Sequence, residues 1–306
     1  MRRRHMSVAN RTLAALGIIL SLVGVARHPV RAEEQAPVAS TPASASPPAS
    51  VAQPPQSSCD RSAFRVVLDV GHTLDVPGAM SARGIPEYAF NFQLAQDADQ
   101  ALRDAGFGKT VLLITDKPPP YGLFERAARA NQMHADLFLA IHHDSVPDKL
   151  IQTWQFEGQQ NFYNDDYPGY ALFVSYDNAN RAGSLQFANL LGKALQARGL
   201  TYTAHYTQPL MGHYRRALVD PEAGVYRFDE LVVLRHTQMP AVLLEAGSIV
   251  NRQEELELDS NDRRAVTSAA IVAAVDAFCA TRHQPATVPQ QGTHAKRASG
   301  AGRSQQ

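Results

Sequence analysis

Short apolar runs that stop at a polar residue recur along the middle of this chain, separated by segments of helical spacing. The first, Phe64-Arg65-Val66-Val67-Leu68-Asp69-Val70, stops at Gly71-His72. Pro86 then opens a helix over 87–105, with apolar residues at helical intervals (Phe90, Leu94, Ala98, Ala101, Leu102) and Gly106 to close it. Strand 110–114, helix 123–133 and strand 136–141 follow, the last stopping at His142. Near-continuous Val/Ile/Leu runs suit strands buried on both faces, and their alternation with helices demands parallel crossovers. The expected fold is α/β: three layers, α/β/α, around a mostly parallel central sheet of about six strands. Farther on, the pattern predicts strand 170–175, helix 182–198, a strand over 200–206, apolar runs at 231–234 and 241–244 (the latter stopping at Glu245), and a closing helix over 262–280. Residues 146–168 and 207–228 are aromatic and polar without a clear period, and read as long functional loops.

The ends are of different composition. Residues 1–32 hold six Arg, no acid and a 15-residue apolar stretch from Thr12, which reads as a signal peptide and so places the mature protein in the periplasm or outside the cell. Residues 33–58 contain six prolines among Ala and Ser and read as a linker. Residues 283–306, with three basic residues and no acid, read as a disordered polar tail. That leaves one catalytic domain, 59–282. The whole chain balances 29 basic against 29 acidic residues, but this domain holds 20 basic and 27 acidic, which argues against nucleic acid as a partner. Its two cysteines, Cys59 and Cys279, stand at its ends. In an oxidising compartment they are expected to form one disulfide tying the first element to the last.

His72, His142 and Glu245 stand where core strands end, and Glu87 begins the helix after the first of them. Strands that run parallel bring such positions to one edge of the sheet. Two imidazoles and a carboxylate suit a zinc ion with an open position for water, and a further carboxylate beside it suits a general base. Spacing alone does not say which carboxylate does which. His143 is a rival to His142, and since strand side chains alternate, only one of the two can face the metal.

Leu68-Asp69-Val70-Gly71-His72, Glu87 opening a helix, 135–144 ending Ile141-His142-His143-Asp144, and Met239-Pro240-Ala241-Val242-Leu243-Leu244-Glu245-Ala246-Gly247 resemble, in that order, the zinc-dependent N-acetylmuramoyl-L-alanine amidases. The resemblance runs from about 65 to 278. It implies one Zn2+ held by His72, Glu87 and His142, a catalytic carboxylate at Glu245, and peptidoglycan as substrate, cut between N-acetylmuramic acid and L-alanine. Arg126 and Asn131 match the family pattern in structural roles. The chain departs from the pattern at His143 and Asp144, where a small residue and Asn are common, and at Ser248, where Phe is. Asp69 is expected to orient His72, with His143 and Asp144 as weaker candidates behind the metal or beside substrate. The 154–167 segment reads as a substrate lid or a small satellite core. His205, His213 and His236 read as surface histidines, Arg215-Arg216 as a solvated pair, and Glu254, Glu255 and Glu257 as a solvated turn or short helix. A monomer is expected, with any activator protein unnamed by the sequence. The competing readings are a zinc peptidase acting on stem peptides and a catalytically silent wall-binding protein.

Overall fold

The computed structural model describes residues 59–282. The signal peptide, linker and tail expected from the sequence lie outside the described residues.

The strand–helix alternation begins with β1 (Val66–Val70), α1 (Glu87–Asp104), β2 (Val111–Leu113), α2 (Tyr121–Gln132) and β3 (Leu137–Asp144). A hairpin, β4 (Gln152–Phe156) and β5 (Gln159–Tyr163), stands apart as its own two-stranded sheet. Then come β6 (Ala171–Val174), α3 (Arg181–Gln196), β7 (Ala217–Asp220), β8 (Val225–Arg227), α4 (Val232–His236), β9 (Ala241–Ser248), α5 (Glu254–Leu258) and α6 (Asn261–Arg282).

The main sheet has seven strands in the order β2-β1-β3-β9-β6-β8-β7. β2, β1, β3 and β9 run parallel to one another, whereas β6 is antiparallel to β9 and β7 to β8. The strands that carry the candidate site are therefore the parallel ones. Their side chains alternate between two cores. Val66, Leu68, Leu139, Ile141, Val242 and Leu244 pack under α1, α3 and α6. Val67, Phe138, Ala140, Ala241 and Leu243 pack against α2 and α4. This gives the three layers.

Several expectations change. The 200–206 strand is absent: Tyr202 forms an isolated bridge to Tyr170, and the chain then turns through a short 3-10 segment, His205–Thr207. Apolar residues 231–234 start the short helix α4. Both long irregular segments contain strands, β4–β5 in one and β7–β8 in the other. β3 and β9 continue past the polar residues thought to end them, so His142 and Glu245 lie within strands.

Candidate metal and catalytic site

Glu87 lies in the first turn of α1, where a negative charge is favoured by the helix dipole. Its carboxylate is buried and grips both imidazoles: Oε2 lies 3.0 Å from His72 Nε2, and Oε1 lies 3.0 Å from His142 Nδ1. Burial opposes its charge, but the hydrogen bonds and charges of the two histidines win and hold it well below the ordinary carboxylate range. One turn along the same helix, Asn91 donates to Glu87 Oε1 at 3.1 Å and to the Gly71 carbonyl at 3.2 Å. Ligand atoms of His72, Glu87 and His142 all lie within 4.8 Å of one another, the one such metal-competent group among the described residues.

The backbone has been cleared for these rings. A Cβ on Gly71 would come within 2.5 Å of the His142 ring. Gly78 has φ +83°, and a Cβ there would collide with Glu87 Oε2 and the His72 ring. His72 itself adopts φ 67°, a conformation an L-residue holds only when its surroundings fix it. Arg126 supplies part of that fixing, donating to the backbone carbonyls of Val70 and His72.

Asp69 does not act as expected. It is buried and paired with Arg126 (Nη1 to Oδ1, 2.6 Å), so it reaches His72 only through that guanidinium. Burial raises its pKa, against the pull of Arg126. Asn131 is structural too, bonding the His236 carbonyl and the Gln238 amide.

His142 pairs in register with Glu245 on β9. Counting alternately from Phe138 and from Leu243 puts both on the α2/α4 side of the sheet. His143 points the other way, where its Nδ1 meets Asn91 Oδ1 at 2.8 Å and Phe90 packs on its ring. Burial lowers its pKa to about 3, so it is a neutral, satisfied core histidine. Glu245 is half-buried, and its buried Oε2 has no hydrogen-bond partner. Burial first, then the charges of Asp144 and Glu87, push its pKa well above the usual value. Asp144 accepts from Tyr206 Oη at 2.7 Å and from the Ser145 amide at 2.8 Å. Burial nonetheless raises it to about 7.

Glu87, His72 and Glu245 line one cleft of about 600 Å³, together with Asp144, the 145–149 segment, Tyr206 and the 211–214 turn. A smaller apolar cavity of about 230 Å³ lies on the α2/α4 side of His72 and His142, over Leu123, Val233 and Leu243.

Residues 66–277 match the family of N-acetylmuramoyl-L-alanine amidases. The chain belongs to that amidase family. It is 24% identical over 212 residues to the amidase Rv3717 of Mycobacterium tuberculosis, covering 68% of this chain and 74% of that protein. It is 25% identical over 252 residues to the amidase AmiC of Neisseria meningitidis, covering 77% of this chain and 58% of that protein. Among solved structures, the amidase Ami1 of Mycobacterium smegmatis shares the fold with a TM-score of 0.55 at 20% identity, covering 72% of this chain and 99% of that one. The catalytic domain of the amidase CwlV of Bacillus (Paenibacillus) polymyxa shares it with a TM-score of 0.51 at 24% identity, covering 70% of this chain and 97% of that one.

Other expectations in the neighbourhood are revised. His205 is not a surface residue but 1% exposed, its Nδ1 2.6 Å from Thr203 Oγ1. Glu254 and Glu255 form a short helix as expected, but a buried one: Glu254 accepts from the amides of Ser248 and Gly169, and Glu255 pairs with Arg83. The 154–167 segment is pinned rather than loose. Trp154 Nε1 donates to the Ala82 carbonyl at 2.9 Å, and Arg83 and Arg252 lie over its ring. Sequence reasoning missed Tyr206, whose only signal was an aromatic residue in a stretch read as strand.

Proposed function

We propose that this chain is a zinc-dependent amidase that hydrolyses the bond between N-acetylmuramic acid and L-alanine in peptidoglycan, outside the cytoplasm. The observation that carries the reading is the convergence of His72, Glu87 and His142 on one point, with Glu245 beside His142 across the strand pair, in a chain of this family. Two imidazoles and one carboxylate are a donor set that fits zinc and leaves positions open for water and substrate. When bound there, the zinc ion supplies Lewis-acid polarisation of the scissile carbonyl and of the attacking water.

The chain's own groups do the rest. Glu87 faces the ligand nitrogens His72 Nε2 and His142 Nδ1 at 3.0 Å each, so the three side chains would hold the ion between them, and Asn91 fixes Glu87 in turn. Glu245 takes a proton from the attacking water and delivers it to the departing nitrogen of L-alanine. A carboxyl whose proton affinity is raised by burial and by two neighbouring carboxylates is suited to that second act, since it holds the proton it must return. Export is supported by the clasp between Cys59 and Cys279, a bond that persists in oxidising compartments.

The test is digestion of purified sacculi, read by mass spectrometry, with zinc measured on the same samples. Intact stem peptides with a free N-terminal L-alanine are expected. Stems shortened while still attached to glycan would mean a peptidase. Glu245→Gln is expected to retain zinc and lose about 10²–10⁴ in kcat. His72→Ala is expected to lose zinc and activity together. A Glu245→Gln variant with wild-type turnover refutes the assignment of the general base.

A further inference from the structure

The cleft that holds Glu245 is an acidic place. Glu87, Asp144, Asp148 and Glu245 line it, and Lys149 is the sole Lys or Arg among its lining residues. Among the described residues no carboxylate lies within 4 Å of the Lys149 amine, Asp148 beside it included, although most other basic side chains near the site are engaged. Arg215 donates to the Thr207 carbonyl at 2.8 Å. Arg216 lies over the Phe228 ring at 3.6 Å and donates to the His213 carbonyl at 2.7 Å. The pair read from the sequence as solvated is thus committed to the protein.

Lys149 is held out into the cleft by a fixed turn. It is the middle residue of a 3-10 segment, Asp148–Leu150, closed by Leu150 N donating to Pro147 O at 2.8 Å and tied down by Asn164 Nδ2 donating to Leu150 O at 2.8 Å. Across from it the 211–214 turn is kinked at Gly212 (φ 57°, ψ −122°). A Cβ on Gly212 would stand 3.8 Å from Lys149 Nζ, so the amine sits against that kink, at the wall of the cleft and exposed.

We propose that Lys149 is a specificity residue that pairs with a free carboxylate on the stem peptide, one residue beyond the L-alanine of the scissile amide. This rests on the amidase reading above. The chemistry is direct. The second residue of a stem is linked onward through its side chain, which leaves its α-carboxyl free as carboxylate or capped as carboxamide. Glu87 is committed to the metal site; in the rest of the cleft Asp144 and Asp148 disfavour an approaching anion, and Lys149 is the one Lys or Arg side chain lining it that can receive one. A carboxamide lacks the charge and gains little from the amine.

Two soluble substrates separate the cases: N-acetylmuramoyl-L-alanyl-D-glutamate with its γ-carboxyl joined to L-alaninamide, and the same compound with its glutamate α-carboxyl amidated as well. The holoenzyme is expected to favour the carboxylate about fivefold in kcat/KM, expressed in KM, with the preference shrinking as salt rises. Lys149→Gln is expected to abolish the preference by raising KM for the carboxylate substrate about fivefold, and Lys149→Arg to keep it. Equal use of both substrates by wild type, or a preference that survives in Lys149→Gln, overturns the assignment while leaving the amidase reading intact. A zinc-loaded wild type that cleaves neither compound and releases no stems from sacculi overturns the amidase reading and this proposal with it.

Discussion

Successive side chains of a strand point to opposite faces, and along the end of β3 that alternation decides which imidazole meets Glu87. His142 turns toward Glu87 and Glu245, while His143, one residue on, goes to Asn91 and Phe90 under α1. The period of the sequence showed that only one of the two could face the metal, and it was the resemblance, not the period, that favoured His142. Neither carried the fate of His205, since a histidine in an aperiodic stretch gives no sign of burial. The structure buries it against Tyr167 and Tyr206 and lowers its pKa to about 4 by desolvation. The consequence for stability has a definite sign. In the unfolded chain His205 binds a proton below about 6.5, and in the folded one only near 4. Between these values the unfolded state binds more protons, so this residue's contribution is full above pH 6.5 and is lost as pH falls toward 4. The loss is at most about 3 kcal/mol. Buried carboxyls such as Asp144, raised to about 7, act in the opposite sense, so the observable is the difference between variants. Denaturant melts of wild type and His205→Gln at pH 7 and pH 4.5 are expected to converge at the lower pH. Parallel curves at both values would show that His205 is not held neutral.

At the scale of elements, α2 acts as a brace behind the site. Its Arg126, 3% exposed, pairs with Asp69 on β1 and bonds the carbonyls of Val70 and His72 where that strand gives way to the metal-binding turn. One side chain therefore neutralises a buried carboxylate and holds the positive-φ backbone of His72. Removing it leaves Asp69 buried without its partner, which typically costs about 3–5 kcal/mol. Arg126→Met should lower stability by that order in urea melts. Zinc affinity should fall by about 10–100-fold, because a support of a ligand is lost. Asp69→Asn should be milder in both: it leaves the Arg126 guanidinium without a counter-ion, but still bonded to the carbonyls of Val70 and His72 that it braces. Equal losses in the two variants would deny the brace. The elements that held these groups were legible because each buries a continuous apolar run. Those that were missed have other physics. The β4–β5 hairpin alternates exposed Gln and Thr with half-buried aromatics, and gains its stability from Arg83 and Arg252 against Trp154, contacts distant in sequence. β7 and β8 are only four and three residues long, too short for any period to show. The false strand over 200–206 had the right residues, Tyr and Thr, but Tyr202 finds a single bridge partner rather than a ladder.

Across the whole domain, the site and the clasp stand at opposite edges of the sheet. His72, His142 and Glu245 lie toward the C-terminal ends of β1, β3 and β9, whereas Cys59 precedes the start of β1 and joins Cys279 near the end of α6. The Cα atoms of the two cysteines are 5.2 Å apart, within the usual range for a bridge. Cys279 is fully buried among the residues of the α1–α3–α6 core, including Phe278, which packs edge-on against Phe64 and Phe187. The bond closes a loop with a sequence separation of 220 residues. On the chain-entropy view it removes about 5 kcal/mol of freedom from the unfolded state, an upper bound, and acts hardly at all on the folded geometry. Stability and activity should therefore separate. Cys59→Ser/Cys279→Ser, or the reduced wild type, is expected to melt about 10 °C or more lower. Zinc content and kcat on peptidoglycan at 25 °C should stay unchanged. The double variant is the better probe, because a single substitution leaves a free thiol open to oxidation. If zinc content fell along with the melting temperature, the clasp would be coupled to the far edge of the sheet, and the division of labour between the two edges would have to be abandoned.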